Sequence, residues 1–345
     1  MREFEGYRRG INLGGWLSQF MRDSREHRET FITESDIEAI AGAGLDHVRL
    51  PVDYDVIENA DGSVREEGHE FIMRCIGWCR KYGLKMVLDL HKAYGYSFAP
   101  DLKEDKTVFF RQEKYRQRFY STWERLAERY GSYSGMIAFE LLNEVVPEEV
   151  AGDWNEIALN TLGRIRRLAP DTWVVMGGVM FNSVRAVPLL PSVDDPKFVY
   201  TFHCYDPMVF THQGAQWMQE ELKNTRIGYP ATLQEYRDAS NKISDDFGGD
   251  ILQERITAGS GPEFFEQIME DAIRVSEERN IPLYCGEYGV IETADPEDVI
   301  RWMRDIHEAF ERHDIARAGW TYKRMVFGIF DGRLKDQTGE AVSLL

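Results

Sequence analysis

The sequence has no surplus of positive charge. Its 41 lysines and arginines face 59 aspartates and glutamates, a net charge of −18. A nucleic acid or an anionic membrane would repel such a surface, so neither is expected as a partner. Cysteine is scarce: the 4 are Cys75, Cys79, Cys204 and Cys285. Cys75 and Cys79 stand at i, i+4 on a predicted helix, with no second pair and no histidines at zinc-finger spacing. That fits a core-facing thiol pair better than a metal site, and nothing demands an oxidising compartment. No apolar run approaches membrane-spanning length. The opening Met1-Arg2-Glu3-Phe4-Glu5 is charged and leads straight into a strand candidate. The expectation is therefore a cytoplasmic chain, or a secreted one whose leader is not part of this sequence. There is also no Gly-x-Gly-x-x-Gly after an early strand. The nearest stretch, Gly10–Gly15, follows no strand and leads into Trp16, so a dinucleotide site is not expected there. Neither cofactor nor metal is called for.

What the sequence does contain is alternation. Its 345 residues, 43% hydrophobic and 29% charged, can bury a large core, and α/β barrels run to such lengths as one domain. Strand-like runs occupy Arg9–Leu13, Asp46–Leu50, Leu84–Leu90, Met136–Leu142, Trp173–Met176, Phe198–Phe202, Pro282–Gly286 and Ala316–Trp320. Between them lie helical patterns at Thr33–Ala43, Glu70–Tyr82, Gln112–Tyr130, Trp154–Leu168, Pro262–Arg279 and Pro296–His313. Such a succession predicts an α/β fold, a closed (β/α)₈ TIM barrel over residues 1–345. One connection is too long. Roughly 60 residues separate the sixth strand from the next helix, where a barrel loop needs about 2–6. Trp217–Leu222 and Leu233–Phe247 carry helical periodicity there, broken at Gly228-Tyr229-Pro230 and Gly248-Gly249. Residues 206–261 thus read as a helical subdomain inserted after strand 6, on the face where barrels place their active sites.

Polar residues gather at the predicted C-terminal strand ends: Arg49, Asp89, His91, Asn143, Glu144, His203, Tyr205, Glu287 and Trp320. Each alone has an ordinary explanation, as a salt-bridge partner, a satisfied histidine or a helix cap. Together they point into one barrel mouth, which stability alone explains poorly. Glu144 and Glu287 follow strands 4 and 7, on roughly opposite sides of that mouth. Glycoside hydrolysis requires such a pair, one acid to protonate the leaving oxygen and one carboxylate to attack. Like charges so close raise the pKa of one member. Arg49 and the Tyr205 hydroxyl would favour ionised Glu287, leaving the proton on Glu144.

These residues resemble glycoside hydrolase family 5, the cellulase family of clan A. The resemblance rests on Gly10-Ile-Asn-Leu-Gly-Gly-Trp16, His47-Val-Arg-Leu-Pro51, Asp89-Leu-His91, Leu142-Asn-Glu144, Phe202-His-Cys-Tyr205, Gly286-Glu-Tyr-Gly289 and Trp320. The opening motif and the insertion look most like the family's cellulase C–like endoglucanases; the opening is also similar to its exo-β-1,3-glucanases. The resemblance implies Glu144 as acid/base, Glu287 as nucleophile and net retention of configuration. It implies further that Asn143 bonds the substrate 2-hydroxyl and that Arg49 and Tyr205 orient Glu287. His91 and His203 would hydrogen-bond the sugar or the carboxylates, and Trp320 would floor the subsite. Val145 departs from the proline that often follows the Asn-Glu pair, a change the cellulase C–like group tolerates.

The resulting expectation is a monomeric retaining endo-β-glucanase acting on a β-1,4- or mixed-linkage β-1,3-1,4-glucan or its oligosaccharides. Exo-β-1,3-glucanase and β-mannanase are alternatives, because linkage choice lives in loop shape and subsite aromatics. A metal-dependent hydrolase using Asp89, His91, His203 and Glu287 would more often show His-x-His on the first strand, and Ile11-Asn12-Leu13 offers none. A dead glycan-binding barrel would have lost a catalytic carboxylate or its neighbours. Trp154 is expected to bind substrate; Tyr94, Tyr96, Phe98, Phe181, Asn182, Phe210 and Trp217 are further subsite candidates.

Overall fold

The computed structural model of the chain describes residues 1–20, 23–99, 105–243 and 250–345. Its strands are β1 (Arg9–Asn12), β2 (His47–Asp53), β3 (Lys85–Lys92), β4 (Ile137–Glu140), β5 (Trp173–Met176), β6 (Phe198–Cys204), β7 (Leu283–Tyr288) and β8 (Ala316–Gly319). Each pairs in parallel with the next, and β8 returns to β1 through Arg9↔Arg317, Gly10↔Ala318 and Ile11↔Gly319. The barrel is therefore closed, as expected. Strands covered on both faces are written as nearly continuous apolar runs, and every residue of β2, β6 and β7 is buried.

The long helices also lie where periodicity places them. Pro262–Arg279 starts on a proline in its first turn, where the missing N–H costs nothing. Thr33 and Asp36 form a capping box at the head of Glu34–Gly42. Glu66–Tyr82 and Ala151–Leu168 begin four and three residues earlier than the apolar pattern suggests, because the small and polar residues of those first turns carry no periodic signal. Between β5 and β6 the sequence shows no amphipathic stretch. The structure has a tight turn and the 3₁₀ helix Val184–Leu189 there, with Pro188 inside it.

Aromatic side chains close the barrel floor. Phe4 stacks on Tyr7 at 4.2 Å and meets Trp173 and Tyr284 edge-on. The Tyr284 hydroxyl lies 3.0 Å from His47 Nε2. With that end filled, only the opposite mouth can admit a ligand.

The 206–261 connection contains, among its described residues, the short helices Met208–Thr211, Glu220–Asn224 and Leu233–Ser240 and the 3₁₀ turn Asp250–Leu252. Trp217 precedes the helix it was expected to open. Part of the second expected helix, to Phe247, and the Gly248-Gly249 breaker lie outside the described residues. The connection is tied to the helix Pro296–Arg312: the Tyr229 hydroxyl donates to Asp305 at 2.6 Å and the Tyr229 N–H to Asp298 at 2.9 Å. No helix among the described residues is long and apolar enough to cross a membrane.

Candidate active site

Arg49 is the hub of the barrel mouth. It is fully buried on β2, where a guanidinium must find acceptors in every direction. Its Nε and Nη2 grip both oxygens of Glu140 at 2.7 and 2.8 Å. Nη1 donates to Glu287 Oε1 at 2.7 Å and to Asn12 Oδ1 at 3.0 Å. Nη2 also donates to Asn143 Oδ1 at 3.0 Å and lies 3.1 Å from Asp89. One planar cation on β2 thus fixes side chains from β1, β3, β4, β7 and the loop after β4.

Glu144 and Glu287 meet across this hub. Between β6 and β7 the register slips at Phe202/His203, so that His203 faces Glu287. A bulge of this kind re-aims a side chain next to a functional site. Glu287 Oε2 accepts from the Tyr205 hydroxyl at 2.9 Å. Glu144 sits at φ 37°, in left-handed backbone that a side chain rarely adopts. The Tyr96 hydroxyl holds that backbone, donating to the Glu144 carbonyl at 2.8 Å and accepting from the Val146 N–H at 2.8 Å. His203 Nδ1 stands 2.9 Å from Glu144 Oε1 and 3.6 Å from Glu287 Oε2. Ligating atoms of Glu144, His203 and Glu287 all lie within 4.8 Å of one another.

The electrostatics separates the two glutamates. Asp89, Glu140, Glu144 and Glu287 crowd around one guanidinium, which touches every one of them except Glu144. The surplus proton belongs on the carboxyl that the guanidinium does not touch. Burial pushes Glu144 up to about 8, with Arg49 opposing the shift from a distance. Burial also raises Glu287 above the ordinary carboxylate range, with Glu144 adding to the rise and His203, Arg49 and the Tyr205 hydroxyl opposing it. His203 is lowered to about 4 by burial, so it is neutral near pH 7.

On the other wall, Asp89 Oδ2 lies 2.6 Å from His91 Nδ1; burial pushes Asp89 up to about 7, and in its ionised form it places the His91 proton on Nδ1 and aims the Nε2 lone pair outward. His91 stacks parallel to Trp320, ring centres 6.0 Å apart and planes 3° apart. His91 Nε2 and Asn143 Nδ2 are buried without a hydrogen-bond partner among the described residues. An acceptor and a donor so placed suit sugar hydroxyls.

Not every candidate reaches the mouth. Trp154, expected to bind substrate, is a core ring: it is fully buried and its indole N–H donates to Gly177 O at 2.8 Å. Its position at a helix start suggested the cleft, but the ring turns inward beneath Phe110 and Phe119. Phe210 is likewise fully buried, and Tyr96 braces the Glu144 backbone instead of facing a sugar. Tyr94 is covered by Arg118, 3.7 Å above its ring. Trp217 is 49% exposed and lies with His212 and Phe327 beside Tyr205. Glu140 and Asn12 escaped the sequence reading. The signal was available for Glu140, an acid inside an apolar strand, which must meet a buried cation.

A divalent ion at Glu144, His203 and Glu287 would face the Arg49 guanidinium, 2.7 Å from Glu287. It would also have to displace the Tyr205 hydroxyl or share its oxygen. This donor set suits proton chemistry better than metal ligation. The Asp89, His91, His203 and Glu287 set considered from sequence does not form one metal-sized cluster among the described residues.

Residues 9–325 match the family described as "Cellulase (glycosyl hydrolase family 5)". Cellodextrinase A of Ruminococcus flavefaciens is 41% identical over 317 residues, 92% of this chain and 86% of that protein. Endoglucanase C of Acetivibrio thermocellus is 40% identical over 342 residues, 98% of each chain. Among solved structures, Thermotoga maritima Cel5A in complex with cellobiose superposes with a TM-score of 0.76 at 22% identity, covering 98% of this chain and 97% of that one. The same protein in complex with mannotriose gives 0.75 at 22% identity, covering 99% and 97%.

Proposed function

Since the chain belongs to glycosyl hydrolase family 5, we propose that it is a retaining endo-β-glucanase, with Glu287 as nucleophile and Glu144 as acid/base. Ionised Glu287 attacks the anomeric carbon while Glu144 protonates the leaving oxygen. The glycosyl–enzyme ester is then hydrolysed by a water that Glu144 deprotonates. The observation that carries this reading is the spacing: ligating oxygens of the two carboxylates lie within 4.8 Å. Retaining pairs stand about 5–5.5 Å apart, whereas inverting pairs need about 6.5–9.5 Å to admit water. Arg49 and Tyr205 keep the nucleophile ionised. The unpartnered Asn143 Nδ2 donates to the sugar 2-hydroxyl, His91 Nε2 accepts a second hydroxyl, and Trp320 floors the subsite.

The substrate is a β-1,4-glucan, a mixed-linkage β-1,3-1,4-glucan or their soluble oligosaccharides. Relatives covering nearly the whole chain at about 40% identity carry endoglucanase and cellodextrinase names. The insertion walls one end of the cleft and offers Trp217 as a stacking platform. Glu287→Ala should nearly abolish turnover of an aryl β-cellobioside, and azide should restore part of it as a β-glycosyl azide. Wild-type rates in that variant would overturn the mechanism. A product profile on cello-, mixed-linkage and manno-oligosaccharides tests the substrate; faster cleavage of mannan would overturn the glucan assignment.

A further inference from the structure

Two histidines face the mouth, and each needs its proton on a particular nitrogen. Asp89 settles His91. The group that settles His203 sits on an unusual piece of backbone. After β5, Met180, Phe181 and Asn182 all have left-handed φ, of 54°, 59° and 54°. Three consecutive non-glycine residues in that region is a conformation L-residues avoid, and such strain collects where a side chain must be delivered to one place. The turn is held at both ends. The Phe181 N–H donates to the carbonyl of Val145, next to Glu144, at 3.0 Å. Ser183 bridges to His203 in parallel pairing. What the turn delivers is the amide of Asn182, fully buried, with Nδ2 3.5 Å from His203 Nε2. Gly177 makes the room, since a Cβ there would lie 2.4 Å from Asn182 Oδ1.

We propose that Asn182 is a positioning residue that fixes His203 as the neutral Nδ1–H tautomer, so that its N–H points at the Glu144/Glu287 pair. Two carboxyl oxygens face Nδ1; ionised Glu287 is an acceptor and Glu144 becomes one once its proton has left, which calls for a donor there. In this orientation Asn182 Nδ2 faces Nε2 at 3.5 Å while its Oδ1 is buried without a partner among the described residues, and a donor facing Nε2 calls for a lone pair there. A second proton on the ring would meet the Asn182 donor and is disfavoured. When Glu144 has given its proton to the leaving oxygen, the His203 Nδ1–H stabilises the new carboxylate. The two histidines are then of complementary use, His91 presenting an acceptor and His203 a donor. The charged and titratable groups around His203 are Arg49 from β2, His91 from β3, Glu140 and Glu144 from β4 and its loop, and Tyr205 and Glu287. Around Glu144 stand Arg49, Asp89, Glu140, Glu287, His203, Lys106, Tyr96 and Tyr205. None of these besides His203 donates to Glu144 Oε1 among the hydrogen bonds described.

This role rests on the assignment of Glu144 and Glu287 above, and its test separates the two. Histidine-¹⁵N-labelled enzyme, with His203 identified through His203→Asn, should show a neutral Nδ1–H ring from mildly acidic to mildly alkaline pH. In Asn182→Asp the new carboxylate would accept a hydrogen bond from a protonated Nε2, and the ring should change to Nε2–H or imidazolium. Asn182→Leu should lose about tenfold in kcat/KM on natural glucans, the weight of one hydrogen bond. Its alkaline limb should move to higher pH, because ionised Glu144 loses a donor. A merely structural asparagine would lower stability without moving that limb. An Nε2–H ring in the wild type would overturn the proposal even if both substitutions misfold, and an unchanged ring in a folded Asn182→Asp enzyme would overturn it whether or not Glu287→Ala is active. An active Glu287→Ala enzyme would instead overturn the underlying assignment.

Discussion

Replacing Arg49 with lysine keeps the charge and removes the fork. The guanidinium makes close contacts to Glu140 at 2.7 and 2.8 Å, Glu287 at 2.7 Å, Asn12 and Asn143 at 3.0 Å and Asp89 at 3.1 Å. An ammonium has three donors and a shorter reach, so about half of these contacts are lost. At ~1–2 kcal/mol for each buried acceptor left wanting, Arg49→Lys should destabilise the fold by roughly 3–6 kcal/mol. Deleting the cation altogether would also leave Glu140 and Asp89 as uncompensated buried charges, at a further cost of about 3–5 kcal/mol. Weakening the single charge-assisted bond to Glu287, worth ~1.5–3 kcal/mol, predicts a loss of about 10–150-fold in kcat/KM. The sign of the pH effect follows from the same contact. Glu287 must be ionised to attack, and Arg49 is one of the groups holding its pKa down, so the acidic limb of kcat/KM should move to higher pH. The assay is kcat/KM on an aryl β-cellobioside across about pH 4 to 9, beside denaturant unfolding. A variant within twofold of wild type, with its acidic limb in place, would refute the view of Arg49 as the hub.

Glu144 provides a pH test of stability. Its pKa is raised from 4.5 to about 8, so the folded state favours the neutral carboxyl. The stability this contributes is complete below the ordinary carboxylate range and is lost as pH rises through about 8. Glu144→Gln, neutral at every pH, should therefore gain Tm relative to wild type at alkaline pH and little at acidic pH; equal shifts would contradict the raised pKa. The alkaline limb of wild-type kcat/KM should fall near 8 for the same reason. Trp154→Ala should cost about 3–5 kcal/mol of stability through its cavity, while KM measured on the folded fraction stays near wild type. Trp217→Ala should do the opposite, raising KM for long oligosaccharides several-fold with Tm unchanged; an unaltered KM would remove Trp217 from the cleft.

The strands, the barrel and the two glutamates were legible in the sequence, because each rests on local patterning. Phe198–Cys204 and Trp173–Met176 are apolar runs between breakers, and a parallel strand covered on both faces has no other way to be written. Glu144 and Glu287 follow such runs at the end where barrels gather their chemistry, and no knowledge of contacts is needed to place them there. What the tertiary structure alone decided depends on which atoms meet. That Arg49 contacts Glu140, Asp89 and Glu287 but not Glu144 is a matter of distances between strands far apart in the chain. Trp154 turned inward because a helix start leaves the ring free to face either cleft or core, and local sequence does not specify which. The left-handed turn at Met180–Asn182 carries none of the glycines that advertise positive φ. Its strain is sustained by long-range bonds to Val145 and His203, and only the folded chain supplies those.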